Sequence, residues 1–223
     1  MSPQVALVAD DDEFFRIALA AILKNQLGFG QVVETGSLDE AIERLADHDD
    51  CCLALFDLTM PGMESAASLG AVREVHPDTK VAVVSASTRR ADILAALAAG
   101  IHGYVPKSLG AHDLAAALRM ILNGAIYVPP SLAGRPAEPE PSPPAAASRE
   151  MSPRRAIEFL TPRQREVLLL LVEGLSNKEI ARRLRLGEGT VKIHMAALFR
   201  SLRVRNRQEA AAAGARLLPM AER

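Results

Sequence analysis

A chain of 223 residues that is 49% hydrophobic can bury real cores, in one large domain or two small ones. No apolar run approaches the roughly 20 residues that span a bilayer, and the opening MSPQVALVADDD lacks a basic start, a long apolar middle and a small-residue cleavage site, so a cytoplasmic protein without a membrane partner is expected. The net charge of −1 hides a split, since residues 1–150 hold 11 Lys and Arg against 20 Asp and Glu while residues 151–223 hold 15 against 7, which points to an acidic domain and a basic one suited to a polyanion.

Along the first half, short apolar runs alternate with helical patterns. VALVA (5–9), QVVE (31–34), CLALF (52–56), VAVVS (81–85) and HGYV (102–105) are the strand candidates, separated by stretches such as FFRIALAAILKNQ and ADILAALAAG. Ser37 with Glu40 offers a capping box for the second helix. Five βα units with such uniformly apolar strands predict an α/β fold, a five-stranded parallel sheet flanked by helices on both faces. The two cysteines, Cys51 and Cys52, are adjacent and have no His or Cys partner at zinc-ligand spacing, so they read as ordinary thiols.

In open sheets of this kind ligands bind outside the carboxyl ends of the strands. At those ends stand Asp10, Asp11 and Asp12 after the first strand, Asp57 after the third, Ser85 at the fourth and Lys107 after the fifth. Carboxylates held a few ångströms apart stay ionised when a cation sits among them, and an all-oxygen donor set suits Mg²⁺. With that charge balanced, Asp57 can act as a nucleophile toward phosphorus, with Lys107 and the Ser85 hydroxyl meeting phosphoryl oxygens.

Between the halves runs VPPSLAGRPAEPEPSPPAAASREMSP, with 8 of the 14 prolines and almost no large apolar side chains, which reads as an extended linker. The basic half reads as four short helices. Thr161 and Gln164 box the first, with Pro162 at its first position, and Gly174 stops it; Ser176 and Glu179 open the second, ended by Gly187; the third runs from about Glu188 to Leu202; Asn206 and Glu209 open the fourth. The second and third, joined by a tight turn, have a helix-turn-helix layout. In the third, Val191, Met195, Leu198 and Leu202 form an apolar stripe, which leaves Lys192, Ile193, Ala196 and Arg200 facing outward. The domains are therefore set at 1–125, a linker at 126–155, and 156–223.

Residues 4–123 resemble the receiver domain of bacterial two-component response regulators, through VADDDEFFR, FDLTMPGM, VVSAS and GYVPKS, four motifs in the expected order. The run LTPRQREVLLLLVEGLSNKEIARRLRLGEGTVKIHMAALFRSLRVRNRQEA is similar to the LuxR-type DNA-binding domain, and the whole resembles the NarL/FixJ family. The resemblance implies a flavodoxin-like receiver and a small all-α four-helix domain. It implies that Asp57 accepts phosphate from a sensor histidine kinase, that Asp10, Asp11, Asp57 and the Thr59 carbonyl hold the metal, that Ser85 and Lys107 sense the phosphoryl group, and that Tyr104 changes rotamer on activation. Thr59 and Ser87 match positions where the family tunes loss of the phosphate. In the basic half it implies that Lys192 and Ile193 read bases, with Thr190, Ala196 and Arg200 on or beside that surface, and that Lys178, Arg182, Arg183, Arg203 and Arg205 are placed to meet phosphates. It also implies a homodimer on an inverted-repeat DNA site, with Ala211, Ala212, Ala213 and Gly214 allowing close approach of the second copy.

This reading is of a regulator and not an enzyme. A receiver that works without phosphate is the alternative within the family. A haloacid-dehalogenase-like phosphatase has similar parts, with Asp10 as nucleophile and Asp12 as acid, but it requires a further acidic pair after the lysine, where SLGAHDLAAALRM offers only Asp113, and it leaves Asp57 without a task.

Overall fold

The protein, seen in a computed structural model, is described at residues 4–63, 66, 68–132 and 160–217. It divides into two units, residues 1–132 and 133–223. Most of the expected linker, from residue 133 to its end at 155, lies outside the described residues, as does the start of the domain placed at 156.

In the first unit the strands are β1 (Val5–Ala9), β2 (Gln31–Thr35), β3 (Cys51–Phe56), β4 (Lys80–Ser85) and β5 (Gly103–Pro106). They pair in parallel in the order β2-β1-β3-β4-β5. Five helices connect or follow them: α1 (Glu13–Leu27), α2 (Leu38–Ala46), α3 (Ser68–Val75), α4 (Arg90–Ala98) and α5 (Ala111–Leu122). β1 is buried at every position, and so is β4 after Lys80, as continuous apolar runs require when helices cover both faces of a sheet. One core layer joins Leu19 and Leu23 of α1 with Val8, Leu53, Leu55, Val84 and Val105 of the sheet and Leu114, Leu118 and Ile121 of α5. Each such side chain contributes about 1.5–3 kcal/mol on leaving water.

Local signals set the helix ends. The Asp12 carboxylate caps α1 by accepting from the Phe15 N–H, and Gly28, at φ 77°, closes it in the left-handed conformation that glycine adopts freely. Ser37 caps α2 by accepting from the Glu40 N–H. Because the strand order reverses between β1 and β3, the loops after these two strands open a crevice at the carboxyl edge, and that crevice receives Asp10, Asp11 and Asp57.

The chain does not leave the first unit at residue 125. The Tyr104 N–H donates to the Tyr127 carbonyl at 2.9 Å and the Tyr127 N–H to the His102 carbonyl at 3.2 Å, so the segment after α5 pairs with β5 and ends in a 3₁₀ turn at Pro130–Leu132. Pro129 and Pro130 concealed this pairing, which is made by backbone groups.

The second unit holds α6 (Pro162–Val172), α7 (Asn177–Leu184), α8 (Glu188–Ser201) and α9 (Arg207–Leu217). Both capping boxes form, Thr161 with Gln164 and Ser176 with Glu179. The second of these helices ends earlier than Gly187: Arg185 takes the left-handed conformation at φ 58° and closes α7, and Gly187 serves as the N-cap of α8. Val167, Leu168 and Leu171 of α6, Ile180 of α7, and Val191, Met195 and Leu198 of α8 form the core.

The small residues of α9 are used within this unit. Gly214 is buried, and a Cβ there would lie 2.6 Å from Val172 Cγ2 and 2.7 Å from Leu168 Cδ1; Ala211 and Ala213 also pack on the core. For Gly214 the close approach is therefore to α6, while Ala211 and Ala213 are half-buried against the core and Ala212 is exposed. Gly214→Ala should destabilise the unit by about 1–3 kcal/mol through overpacking. Chemical denaturation of wild type and variant measures this directly.

Candidate functional site

β1 and β3 run side by side, with Ala9 opposite Phe56, and deliver Asp10 and Asp57 at the next positions. The Asp57 N–H donates to the Ala9 carbonyl at 2.9 Å, and the Asp10 N–H to the Thr35 carbonyl at 3.0 Å, so backbone bonds hold both residues in place. Asp10 and Asp57 are 2% and 1% exposed. Lys107, just past β5, reaches both: its Nζ lies 2.6 Å from Asp10 Oδ2 and 3.2 Å from Asp57 Oδ2. The Lys107 N–H donates to the Ser85 carbonyl at 2.9 Å, and the ammonium sits 4.6 Å from the centroid of the Phe15 ring, a cation–π distance.

Further donors complete the Asp57 carboxylate. Oδ1 accepts from the Leu58 N–H at 2.7 Å, and Oδ2 accepts from the Thr59 hydroxyl at 2.5 Å. Burial pushes Asp57 upward, but the Thr59 hydroxyl, the Lys107 ammonium and the Leu58 amide outweigh it and hold the carboxyl below its usual range. Asp10 goes the other way, because desolvation exceeds the help from Lys107 and the Asp12 N–H, and the neighbouring Asp57 charge adds to the rise. Lys107 is raised: burial opposes its charge, yet the two carboxylates more than compensate. One Asp in this pair is therefore a well-stabilised anion while the other is an anion short of positive charge.

Asp11, exposed at the rim, completes a trio with Asp10 and Asp57 in which one carboxylate oxygen of each lies within 4.8 Å of the others. Three hard oxygen donors, one of them under-neutralised, fit a hard divalent cation. Asp12 stands apart from this cluster as the cap of α1.

Ser85 is fully buried at the end of β4, and its Oγ accepts from the Ser87 N–H at 3.3 Å. The pairing of Phe56 with Val83 puts Ser85 one step beyond the level of Asp57 on the adjacent strand. Tyr104 is fully buried and its hydroxyl donates to the Ser87 carbonyl at 2.7 Å. Ser87 Oγ in turn donates to Asp92 Oδ2 at 2.5 Å, and Arg89 forks onto the same carboxylate at 2.9 and 3.0 Å. A cavity of about 490 Å³ borders Thr59, Ser87, Arg89 and Asp92 and leaves room beside the acidic crevice.

In the second unit Lys178, Arg182, Arg183, Lys192, Arg203 and Arg205 are exposed, and Ala196 and Arg200 are half-buried. Ile193 and Thr190 are not outward-facing: they are 0% and 3% exposed. The stripe of Val191, Met195 and Leu198 is buried as expected, but so are His194, Ala197 and Ser201. Apolar residues occur on more than one side of α8, so the stripe alone could not assign its faces.

Several features of the site were missed from the sequence. The Thr59 side chain, and not only its backbone, touches Asp57; Phe15 lies against Lys107; and Asp92 with Arg89 braces Ser87. An aromatic residue three positions after the acidic triplet Asp10, Asp11 and Asp12 was the available signal for Phe15. Nothing in local spacing joins Ser87 to Tyr104, since the bond crosses between strand ends.

A stability test follows from the opposed shifts. Asp57, lowered on folding, contributes stability that is present above its unfolded value, near 3.9, and is lost as the pH falls through the lower folded value. Asp10, raised on folding, costs stability at neutral pH, and the cost disappears as the pH falls through its folded value and on to the unfolded one. In chelator, Asp10→Asn should therefore raise the thermal midpoint at pH 7 and lose that advantage in acid. Added divalent cation should stabilise wild type more than the variant. Melting curves across pH, with chelator and with cation, test both expectations.

Residues 6–119 match the response regulator receiver domain family, and residues 158–213 match the luxR family of bacterial regulatory proteins. The chain is 35% identical to the glycerol metabolism activator of Pseudomonas putida, over 92% of its own length and 91% of that protein. It is 32% identical to the nitrate/nitrite response regulator protein NarL of Escherichia coli strain K12, over 94% of each chain. The RcsB response regulator of Salmonella typhimurium has a similar fold, with a TM-score of 0.52 at 23% identity over 95% of this chain and 98% of that one. These relatives are named as regulators, and among the described residues no helix is long and apolar enough to cross a membrane. With both domains matched in this order and full-length relatives above 30% identity, the chain belongs to the NarL/FixJ family of response regulators, a receiver domain followed by a LuxR-type DNA-binding domain.

Proposed function

We propose that this protein is a phosphorylation-switched, cytoplasmic transcription regulator in which Asp57 takes a phosphoryl group from a sensor histidine kinase. The observation that carries the proposal is the buried Asp57 carboxylate, kept anionic beside Lys107 and within 4.8 Å of two further carboxylate oxygens. An Asp57 oxygen attacks phosphorus in line; the P–O bond forms as the bond to the donor histidine nitrogen breaks, and that nitrogen leaves with the electron pair. Lys107 Nζ meets the transferred oxygens, the Ser85 hydroxyl turns toward one of them, and the Leu58 N–H holds the acceptor carboxylate. Asp10, Asp11, Asp57 and the Thr59 carbonyl would hold Mg²⁺, which when bound supplies positive charge to the phosphoryl oxygens.

The new charge biases a two-state receiver through Ser85 and Tyr104, and the proline-rich linker lets the DNA-binding domain respond. Activation favours a homodimer on inverted-repeat DNA. Base reading rests on Lys192, with Ala196 and Arg200 beside it, and Lys178 and Arg183 meet phosphates. Thr190 and Ile193, both buried, are left out of the contact set.

The test is DNA affinity before and after treatment with a small-molecule phosphodonor. Wild type should gain affinity and Asp57→Asn should not; an equal gain in both would remove Asp57 from the switch. On the DNA side, Lys192→Ala should cost about 1–3 kcal/mol on the cognate site and flatten discrimination between sequences. Lys178→Ala should weaken all duplexes alike and lower the salt slope by about one. Titrations of cognate and random duplex over a range of salt separate these outcomes.

A further inference from the structure

The segment that follows α5 is tied at both ends to the region around Tyr104. At its start, Tyr127 pairs with β5 through the Tyr104 N–H and the His102 carbonyl. At its end, the Arg90 guanidinium at the first turn of α4 donates to the Leu132 carbonyl at 2.7 Å. Tyr127 is half-buried against the sheet core, and Pro129 is buried. Gly103 admits the pairing: a Cβ there would lie 3.2 Å from Tyr127 Cβ and 2.6 Å from Ile121 Cδ1, so a side chain at this position would press on both the segment and α5.

These contacts close a circuit. The Tyr104 hydroxyl binds the Ser87 carbonyl, the Ser87 hydroxyl binds Asp92 of α4, Arg90 of the same helix binds Leu132, and the chain returns through Tyr127 to the Tyr104 backbone. A displacement of the Tyr104 ring or of the first turn of α4 strains the Ser87 and Leu132 bonds together, while the backbone pairing at Tyr127 stays as an anchor. Leu132 is the last residue of the first unit, so the free end of this segment is where the chain toward the DNA-binding domain begins.

We infer that residues 125–132 form a coupling strap, anchored on β5 and released at its Leu132 end when α4 or Tyr104 moves, which passes the state of the receiver to the linker. The inference rests on the phosphoryl-acceptor reading above. A segment that only covered the β5 edge would need the Tyr127 pairing but not the Arg90 tie.

The experiment uses the full-length protein and follows backbone amide exchange by mass spectrometry, with Asp57 labelling by a phosphodonor and DNA affinity measured on the same samples. Arg90→Ala should take up label as wild type does, exchange the Leu132 amide severalfold faster, and lose most of the phosphorylation-dependent gain in DNA affinity. A labelled Arg90→Ala protein that keeps the full gain would overturn the strap as a coupling element. Tyr104→Phe, which lacks the hydroxyl bonded to Ser87, supplies an arm that needs no phosphate: faster exchange at Leu132 supports the circuit, and unchanged exchange overturns it. Should wild type take no label, the acceptor reading fails by itself, and the Tyr104→Phe arm still decides the circuit.

Discussion

One ammonium group between two buried carboxylates governs the receiver. Lys107 has given up most of its hydration and lies against Asp10 and Asp57, so its position fixes where charge can be tolerated at the carboxyl edge of the sheet. Removing Lys107 would leave the two buried carboxylates unmatched, a loss of several kcal/mol in comparable sites. The rest of the fold supplies the geometry: β1 and β3 bring the carboxylates together at the reversal of strand order, and the bond from Lys107 N–H to the Ser85 carbonyl holds the lysine to the strand that carries the hydroxyl. One cation cannot neutralise three carboxylates. In the proposed function, the surplus negative charge of the three carboxylates is what draws a divalent cation, and with it a phosphoryl group, to the crevice.

The two units solve stability differently. The receiver buries continuous apolar strands between helices, and its site is placed by backbone hydrogen bonds of the sheet. The helical unit is small, and its helices are short, so end effects weigh more: two reciprocal capping boxes, a proline at the first position of α6 and a left-handed closure of α7 stop the helices where packing needs them to stop. Gly214 against Leu168 and Val172 then lets α9 lie close on α6.

Much of this was legible because period and punctuation coincide with function. Apolar runs that end on Asp10, Asp57 and Ser85 mark both the strands and the site, since a parallel sheet must present its strand-end residues at one edge. Features that depend on contacts between distant elements were not legible. The bond from Tyr104 to Ser87 and the tie from Arg90 to Leu132 have no sequence spacing that announces them, and the pairing of Tyr127 uses backbone groups that every residue carries. The faces of α8 failed for a related reason: Ile193 and Ala197 stand off the main stripe, and a helix with apolar residues on several sides does not declare its exposed face. In α9 the small residues were visible, but smallness records close approach without naming the neighbour.

We propose that Asp57, and no other carboxylate, receives the phosphoryl group in a crevice that requires a divalent cation. The most direct measurement is site mapping by mass spectrometry after treatment with a phosphodonor and reductive trapping of the acyl phosphate, with and without chelator. One modified residue, Asp57, is expected, with loss of the modification when divalent cations are removed. Modification at Asp10 or Asp12, or full modification of Asp57 in chelator, would contradict it.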